Sequence, residues 1–383
     1  MLNKSTAERH TIPPDRFRST TLATGHCQSW AGCGLCVILG RMNQLPDRFS
    51  GHSQPVPHLP SNHNSAEPLA AGPTAREPIS PRLLRRGLLR RLRWPATLFL
   101  LTCVSTFWVG VTNWQPVQAL IVCSEQGDLT YIRQLFLTHW QQGLSYMGCV
   151  LAILLLHELG HFLMTVYYRI PATMPIFLPF PFNPIGTLGA VIGMNGFEAD
   201  RKQIFDIGIA GPLAGLVVAI PLAWIGASQL DFSIPPAGGL SFQCPLFLDW
   251  LIERLGIPGY NGSSISPSQM NPYLSAAWVG CLVTGLNMIP VGQLDGGHIT
   301  YALFGERAHL LARGIIIGAI ASMVYFGHMV LLLMVVLVVL VGTDHPPTAN
   351  DRMPLGWFRT GLGLLSLSIP ILLFPPMVFE LPT

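Results

Sequence analysis

The stretch that most constrains this chain is Leu151 to Tyr167, LAILLLHELGHFLMTVY. It is apolar enough and long enough to fit a bilayer span, yet His157, Glu158 and His161 sit in its middle. Each such residue costs roughly 2.5 kcal/mol or more at the centre of a membrane. Three together call for a compensating partner. His157 and His161 are four residues apart, so in a helix their rings share a face and reach a common ion. Neutral imidazole is a good zinc ligand. Glu158 is placed beside the ion, where it can accept a proton from bound water, whose pKa falls to around 7. This is the H-E-x-x-H arrangement of zinc hydrolytic sites.

The rest of the composition agrees with a membrane setting. Half of the 383 residues are hydrophobic, 11% are charged and the mean hydropathy is +0.45, against about 25% charged in soluble proteins. The expected fold is an all-α polytopic membrane protein with about six to seven transmembrane helices. The net charge of +3 hides an asymmetry: residues 1–93 hold 13 Lys and Arg against 5 acids, and the remainder 9 against 14. Residues 82–93 place six arginines just before the first apolar run, which puts the N-terminus in the cytoplasm by the positive-inside rule. The run has no interleaved aromatics, so nucleic-acid binding is not expected; the lipid bilayer is the partner.

In chain order, residues 1–81 are rich in Pro, Ser, Asn and His and read as a disordered tail. Translation from Met42 is an alternative start. A metal knuckle of His26, Cys27, Cys33 and Cys36 lacks a second matching pair, so free thiols are preferred. Residues 82–94 form a basic juxtamembrane segment, and residues 95–142 the first span (95–114) with an external loop. Residues 143–300 form the core, with spans at 143–167, 203–227 and 271–289. Residues 301–383 hold the C-terminal helices: a run at 310–341 with a turn at Gly327-His328, and a last span at 355–378. Between Arg169 and Lys202 five prolines and the strand-like GTLGAVIGM exclude a regular helix. A re-entrant loop or β-hairpin-like segment beside the metal is expected there, since irregular backbone at membrane depth needs protein or a cavity around it. Its edge offers pairing to an extended peptide. Gly208, Gly211-Pro212 and Gly215 in the third span favour close helix packing. Asp206 is expected to be paired or capping, with Arg201 and Lys202 nearby. The external segment 228–269 is short for an independent module. A disulfide between the externally placed Cys123 and Cys244 is compatible with the sequence but has no spacing signal behind it.

A catalytic zinc usually has three protein ligands and one open position. Position 164, where an extended motif toward a third His needs Gly, is Met164. The acidic candidates are Glu198 and Asp295. Asp295 is favoured because it follows an apolar span at the depth of HELGH, and because Gly296 and Gly297 give its turn conformational freedom.

HELGH in one span, with Asn287, Pro290, Leu294, Asp295 and Gly296 (N-x-x-P-x-x-x-L-D-G) at the end of a later one, resembles the site-2 protease family of intramembrane zinc metalloproteases. The resemblance covers roughly 143–300. It implies a three-helix catalytic core and one Zn2+ per chain held by His157, His161 and Asp295. Glu158 would activate water and Asn287 would lie near the scissile carbonyl. His298 is a candidate for orienting Asp295. No stretch is long enough for an inserted PDZ domain, so the chain looks like the PDZ-less branch, plastid-like and bacterial forms included. The implied substrates are transmembrane proteins cut in or near their spans. The expected location is the bacterial cytoplasmic membrane, site toward the cytoplasm, with a plastid membrane second. A metal-binding transporter or sensor without proteolysis is the competing function; the chain shows no repeated halves of the kind transporters use.

Overall fold

The computed structural model describes residues 81–194, 198–236, 241–262, 264–326, 332, 335, 336, 342, 344–375, 379 and 380, with side chains from residue 92 to 375. The expected tail 1–81, its cysteines and the turn at 327–328 lie essentially outside the described residues.

Helix α1 (Pro81–Val111) contains the first apolar run, and α2 (Pro116–Gln126) follows at once, with Pro116 at its start and Gly127 closing it at φ 71°. Helix α3 (Thr130–Tyr168) is 39 residues long. The sequence reading made 115–142 a loop; the structure makes it helix. Gln134, Gln141 and Gln142 are good helix formers, and Asp128 accepts from the Thr130 amide where the helix begins. After the hairpin described below come α4 (Arg201–Ser228), α5 (Leu246–Leu255), α6 (Pro272–Asn287), α7 (Asp295–Phe304), α8 (Arg307–Phe326), α9 (Trp357–Ser366) and α10 (Ile369–Leu373).

The protein is mostly helical. Among the described residues, four helical segments are long and apolar enough to cross a membrane: Leu92–Val111, Thr130–Tyr168, Arg201–Ser228 and Arg307–Tyr325. Two of the expected spans differ. The span at 271–289 is the 16-residue α6, enclosed on nearly every side from Leu274 to Gly285; a helix apolar all round belongs inside a bundle. The described part of the run at 355–378 holds two short helices, broken before Pro370. By contrast α4 presents Val217 and Trp224 outward at 72% and 57% exposure, an apolar face for lipid.

Residues 176–191 form an antiparallel hairpin of β1 (Ile176–Phe180) and β2 (Gly186–Val191), with Phe177 opposite Ala190 and an irregularity before Pro179. Asn183 builds its turn, accepting from the amides of Ile185 and Gly186. The turn is fixed to the bundle: Ser105 donates to the Gly186 carbonyl at 2.6 Å and Tyr146 to that of Ile185 at 2.8 Å. Gly186 is at φ 88°, and a Cβ there would lie 2.8 Å from the Thr106 Cα, so only glycine fits.

Between α4 and α6 the external segment, expected to be short for an independent module, carries α5 and two strands, β3 (Ser241–Gln243) and β4 (Ser264–Ile265), joined by β5 (Phe379–Glu380) in the order β4-β3-β5. Cys123 and Cys244 are free, buried thiols, so the disulfide compatible with the sequence is not formed. Burial pushes the Cys244 thiol up to about 12. The expected outcome is that a maleimide leaves Cys244 unmodified in the folded protein and labels it after denaturation, read by mass spectrometry; labelling of the native protein would contradict the packing of this cap.

Candidate metal centre

His157, Glu158 and His161 lie in the last third of α3, and all three are largely enclosed: His157 and Glu158 are 2% and 4% exposed and the His161 side chain 12%. What encloses them is α4, pressed against α3 through glycines. A Cβ on Gly160 would lie 2.5 Å from the Ala210 carbonyl oxygen, and one on Gly211 2.1 Å from His161 Nε2. Gly215 meets the His157 ring in the same way, at 3.3 Å. The small residues of the third span therefore do more than bring two helices together. They make the slot in which both imidazoles lie.

The third component arrives from α6 and α7. Asn287 ends α6, a turn runs from Met288 to Leu294, and Asp295 is the first residue of α7. The sequence reading put Asp295 within the turn and gave Gly296 and Gly297 a conformational role. Both are helical, and the requirement is space: a Cβ on Gly296 would lie 2.0 Å from the Met288 carbonyl oxygen, and one on Gly297 2.3 Å from that of Gly292. Without side chains there, α7 folds back onto its own turn and carries the Asp295 carboxylate to α3.

Asp295 Oδ2 is 3.2 Å from His157 Nε2 and 3.3 Å from His161 Nε2. One donor atom from each of the three residues lies within 4.8 Å of the others. In a tetrahedral site with bonds of about 2.0–2.1 Å, ligand atoms sit roughly 3.3 Å apart. The two imidazole nitrogens and the carboxylate oxygen thus fit zinc in kind and in spacing. The surrounding bonds agree. His161 Nδ1 lies 2.8 Å from the Ile207 carbonyl oxygen; since a carbonyl only accepts, Nδ1 carries the hydrogen and Nε2 turns a lone pair to the cluster. His157 Nδ1 is buried with no hydrogen-bond partner, so that ring's side-chain hydrogen bonds are made through Nε2. The Asn287 amide nitrogen is 3.2 Å from the same Nε2, at the margin of the cluster.

Other residues singled out from sequence lie elsewhere. Glu198 is exposed and is not part of the cluster. His298 bonds to His345 at 2.7 Å, its Nδ1 against His345 Nε2, and no bond between its side chain and Asp295 is formed. Asp206 is paired, as expected, but with neither Arg201 nor Lys202. Arg359 on α9 holds it in a two-pronged pair, both contacts 2.8 Å, and Tyr168 donates to it. The cap of α4 is Asp200, which accepts from the amides of Lys202 and Gln203. Arg201 instead reaches the carbonyls of Ala302 and Leu303, closing the end of α7. Arg359, Tyr168 and His345 were not found from sequence. The one available signal was Arg359 itself, a lone cation in an apolar helix.

Comparison with known proteins follows the same residues. The chain is 32% identical over 257 residues to a probable zinc metalloprotease, EGY1, chloroplastic, of Oryza sativa subsp. japonica, covering 65% of this chain and 43% of that protein. It is 31% identical to the Arabidopsis thaliana protein of the same name, covering 61% and 42%, and 29% identical to the Arabidopsis thaliana probable zinc metalloprotease EGY2, chloroplastic, covering 59% and 40%. The chain thus spans little more than two-fifths of the length of these relatives. Residues 145–335, which hold HELGH, the hairpin, the glycine-lined slot and Asp295, match peptidase family M50, so the central region of this chain is a peptidase M50 (site-2 protease) domain.

Proposed function

We propose that this chain is an intramembrane zinc endopeptidase that hydrolyses peptide bonds in or near the transmembrane segments of other proteins. The observation that carries the reading is the meeting of Asp295 with His157 and His161 beside the buried Glu158, the last three on a helix apolar enough to cross a membrane. One zinc ion per chain is held by those three residues. When bound, zinc acidifies water toward pKa 7 and polarises a carbonyl.

The protein's own groups do the rest. Glu158, next in sequence to one ligand and free of the ligand set, takes the proton of the attacking water and returns it to the leaving amine. The Asn287 amide, at the cluster's margin, donates to the oxygen on which charge develops. The α3–α4 contact keeps bulk water from the rear of the site. A substrate helix hides its peptide bonds in its own hydrogen bonds and has to unwind to be cut. The β1–β2 hairpin is a re-entrant element whose free edge takes the unwound segment as an added strand.

The proteolytic core is 143–300, flanked by the basic segment 82–94, by residues 95–142 with the first span, α2 and the start of α3, and by the C-terminal helices 301–383. The chain crosses the bilayer six times if α6 and the α9–α10 pair are counted with the four long helices. The names of the relatives favour a plastid-type membrane over the bacterial one, with the site facing the compartment of the basic N-terminal segment. No observation favours the transporter reading.

Metal analysis of purified protein tests the ligand set. Wild type and Glu198→Ala are expected to hold one equivalent of zinc, and Asp295→Ala to lose it. Zinc retained by Asp295→Ala but lost from Glu198→Ala would overturn the assignment.

A further inference from the structure

Helix α9 lies beyond the region matched to the family, which ends at residue 335, yet it grips α4 one residue from the carbonyl that orients a metal-binding histidine. We propose that Arg359 is a positioning residue for His161, acting through a clasp of Arg359, Asp206 and Tyr168. This inference rests on the proposed metal site and adds an element to it.

The clasp joins three helices at one carboxylate. Arg359 Nε donates to Asp206 Oδ1 and its Nη2 to Oδ2, both at 2.8 Å. Tyr168, the last residue of α3, donates to Oδ2 at 2.5 Å. The Asp206 side chain is only 14% exposed and that of Arg359 35%. A planar guanidinium meeting a carboxylate with two parallel bonds fixes direction as well as distance. The seat of α9 reinforces that direction. Gly363, one turn beyond Arg359, rests against Phe205 and Leu303, and a Cβ there would come within 2.8 Å of the Phe205 ring.

The consequence reaches the metal through the chain itself. Residue 207 follows Asp206, and its carbonyl accepts from His161 Nδ1. Helices α3 and α4 are therefore tied twice on one face: Tyr168 to Asp206, and His161 to Ile207. Side chains on a helix lean toward its N-terminus, which is how Tyr168, seven residues past His161, reaches the neighbouring residue of α4. With Arg359 in place the first turns of α4 have one register against α3, and the Ile207 carbonyl meets His161 where the Nδ1–H tautomer is required. Without it Asp206 loses both charge-assisted bonds, and that turn can shift away from the ring. Partners that orient a metal-binding histidine typically contribute 10- to 100-fold to metal affinity.

The test uses the full-length protein in detergent, with zinc affinity measured by chelator competition and folding followed by thermal unfolding. Arg359→Ala is expected to weaken zinc binding about 10-fold, with Arg359→Lys retaining part of the affinity. Tyr168→Phe, which leaves the ion pair intact and alters only one bond, is expected to give a smaller loss in the same direction. Gly226→Ala is the comparison for simple destabilisation. Its Cβ would collide with the Leu274 amide, 2.3 Å away at the opposite end of α4, so it should lower the melting temperature and leave zinc affinity unchanged. In metal-free protein, the nitrogen resonances of His161 should show a lower population of the Nδ1–H form in Arg359→Ala than in wild type. Wild-type zinc affinity in folded Arg359→Ala overturns the proposal; where that variant does not fold, wild-type affinity in Tyr168→Phe overturns it. Wild type without zinc would instead sink the metal site itself.

Discussion

Glu158→Gln is expected to leave zinc bound and to cut cleavage of a co-expressed membrane substrate by about 100- to 10,000-fold. The substitution keeps volume and shape in a site where the side chain is 4% exposed, so the helix packing should survive. What it removes is the ability to accept a proton from water. Because His157, His161 and Asp295 make up the ligand set without it, metal content should match wild type. The measurement is paired: zinc per chain on purified protein, and the cleaved fraction of substrate from the same cells. Loss of cleavage together with loss of zinc would mean that Glu158 helps hold the ion. Unchanged cleavage would remove it from the chemistry.

Gly211→Ala is expected to abolish metal binding while changing a residue that carries no functional group. The new Cβ would lie 2.1, 2.4 and 2.5 Å from His161 Nε2, Cε1 and Cδ2. The ring has little room to retreat, since its Nδ1 is bonded to Ile207, and α3 itself is in backbone contact with α4 at Gly160 and Ala210. Overpacking of this kind typically destabilises by about 1–3 kcal/mol, and relief by rotating the imidazole would turn Nε2 away from Asp295. Gly148→Ala, in the same α3 but with nothing within 4 Å of the added carbon, should keep both zinc and stability. Equal zinc content in the two variants would show that the slot is looser than its geometry indicates.

The contrast between these two residues also marks what a reader of the sequence can see. HELGH announces itself because ionisable residues in an apolar run are expensive, and Asp295 because it sits at matching depth after another run. The first and third spans fall near the helices observed, since hydropathy is a local property. Three things were hidden. The stretch 115–142 looked like a loop because Gln115-Pro116 ends the first apolar run, yet α3 already runs from Thr130. Gly296 and Gly297 were given a turn role because sequence cannot distinguish a glycine needed for its φ from one needed for its size. The partners of Asp206 and His298 were out of reach for a third reason: Arg359 lies 153 positions from Asp206 and His345 lies 47 from His298. No periodicity links such pairs; only the folded bundle brings them together.

The glycine contacts between α3 and α4, with those that fold α7 onto its own turn, leave the ligand-bearing backbones almost no slack. An ion seated among them would have no easy way out, because the His161 ring has little room to swing aside while its helix stays put. Release would then wait for a rare opening in which whole segments part. Chelator extraction of zinc should accordingly proceed at a rate that stops rising with chelator concentration, and that plateau would time the breathing of the helix bundle.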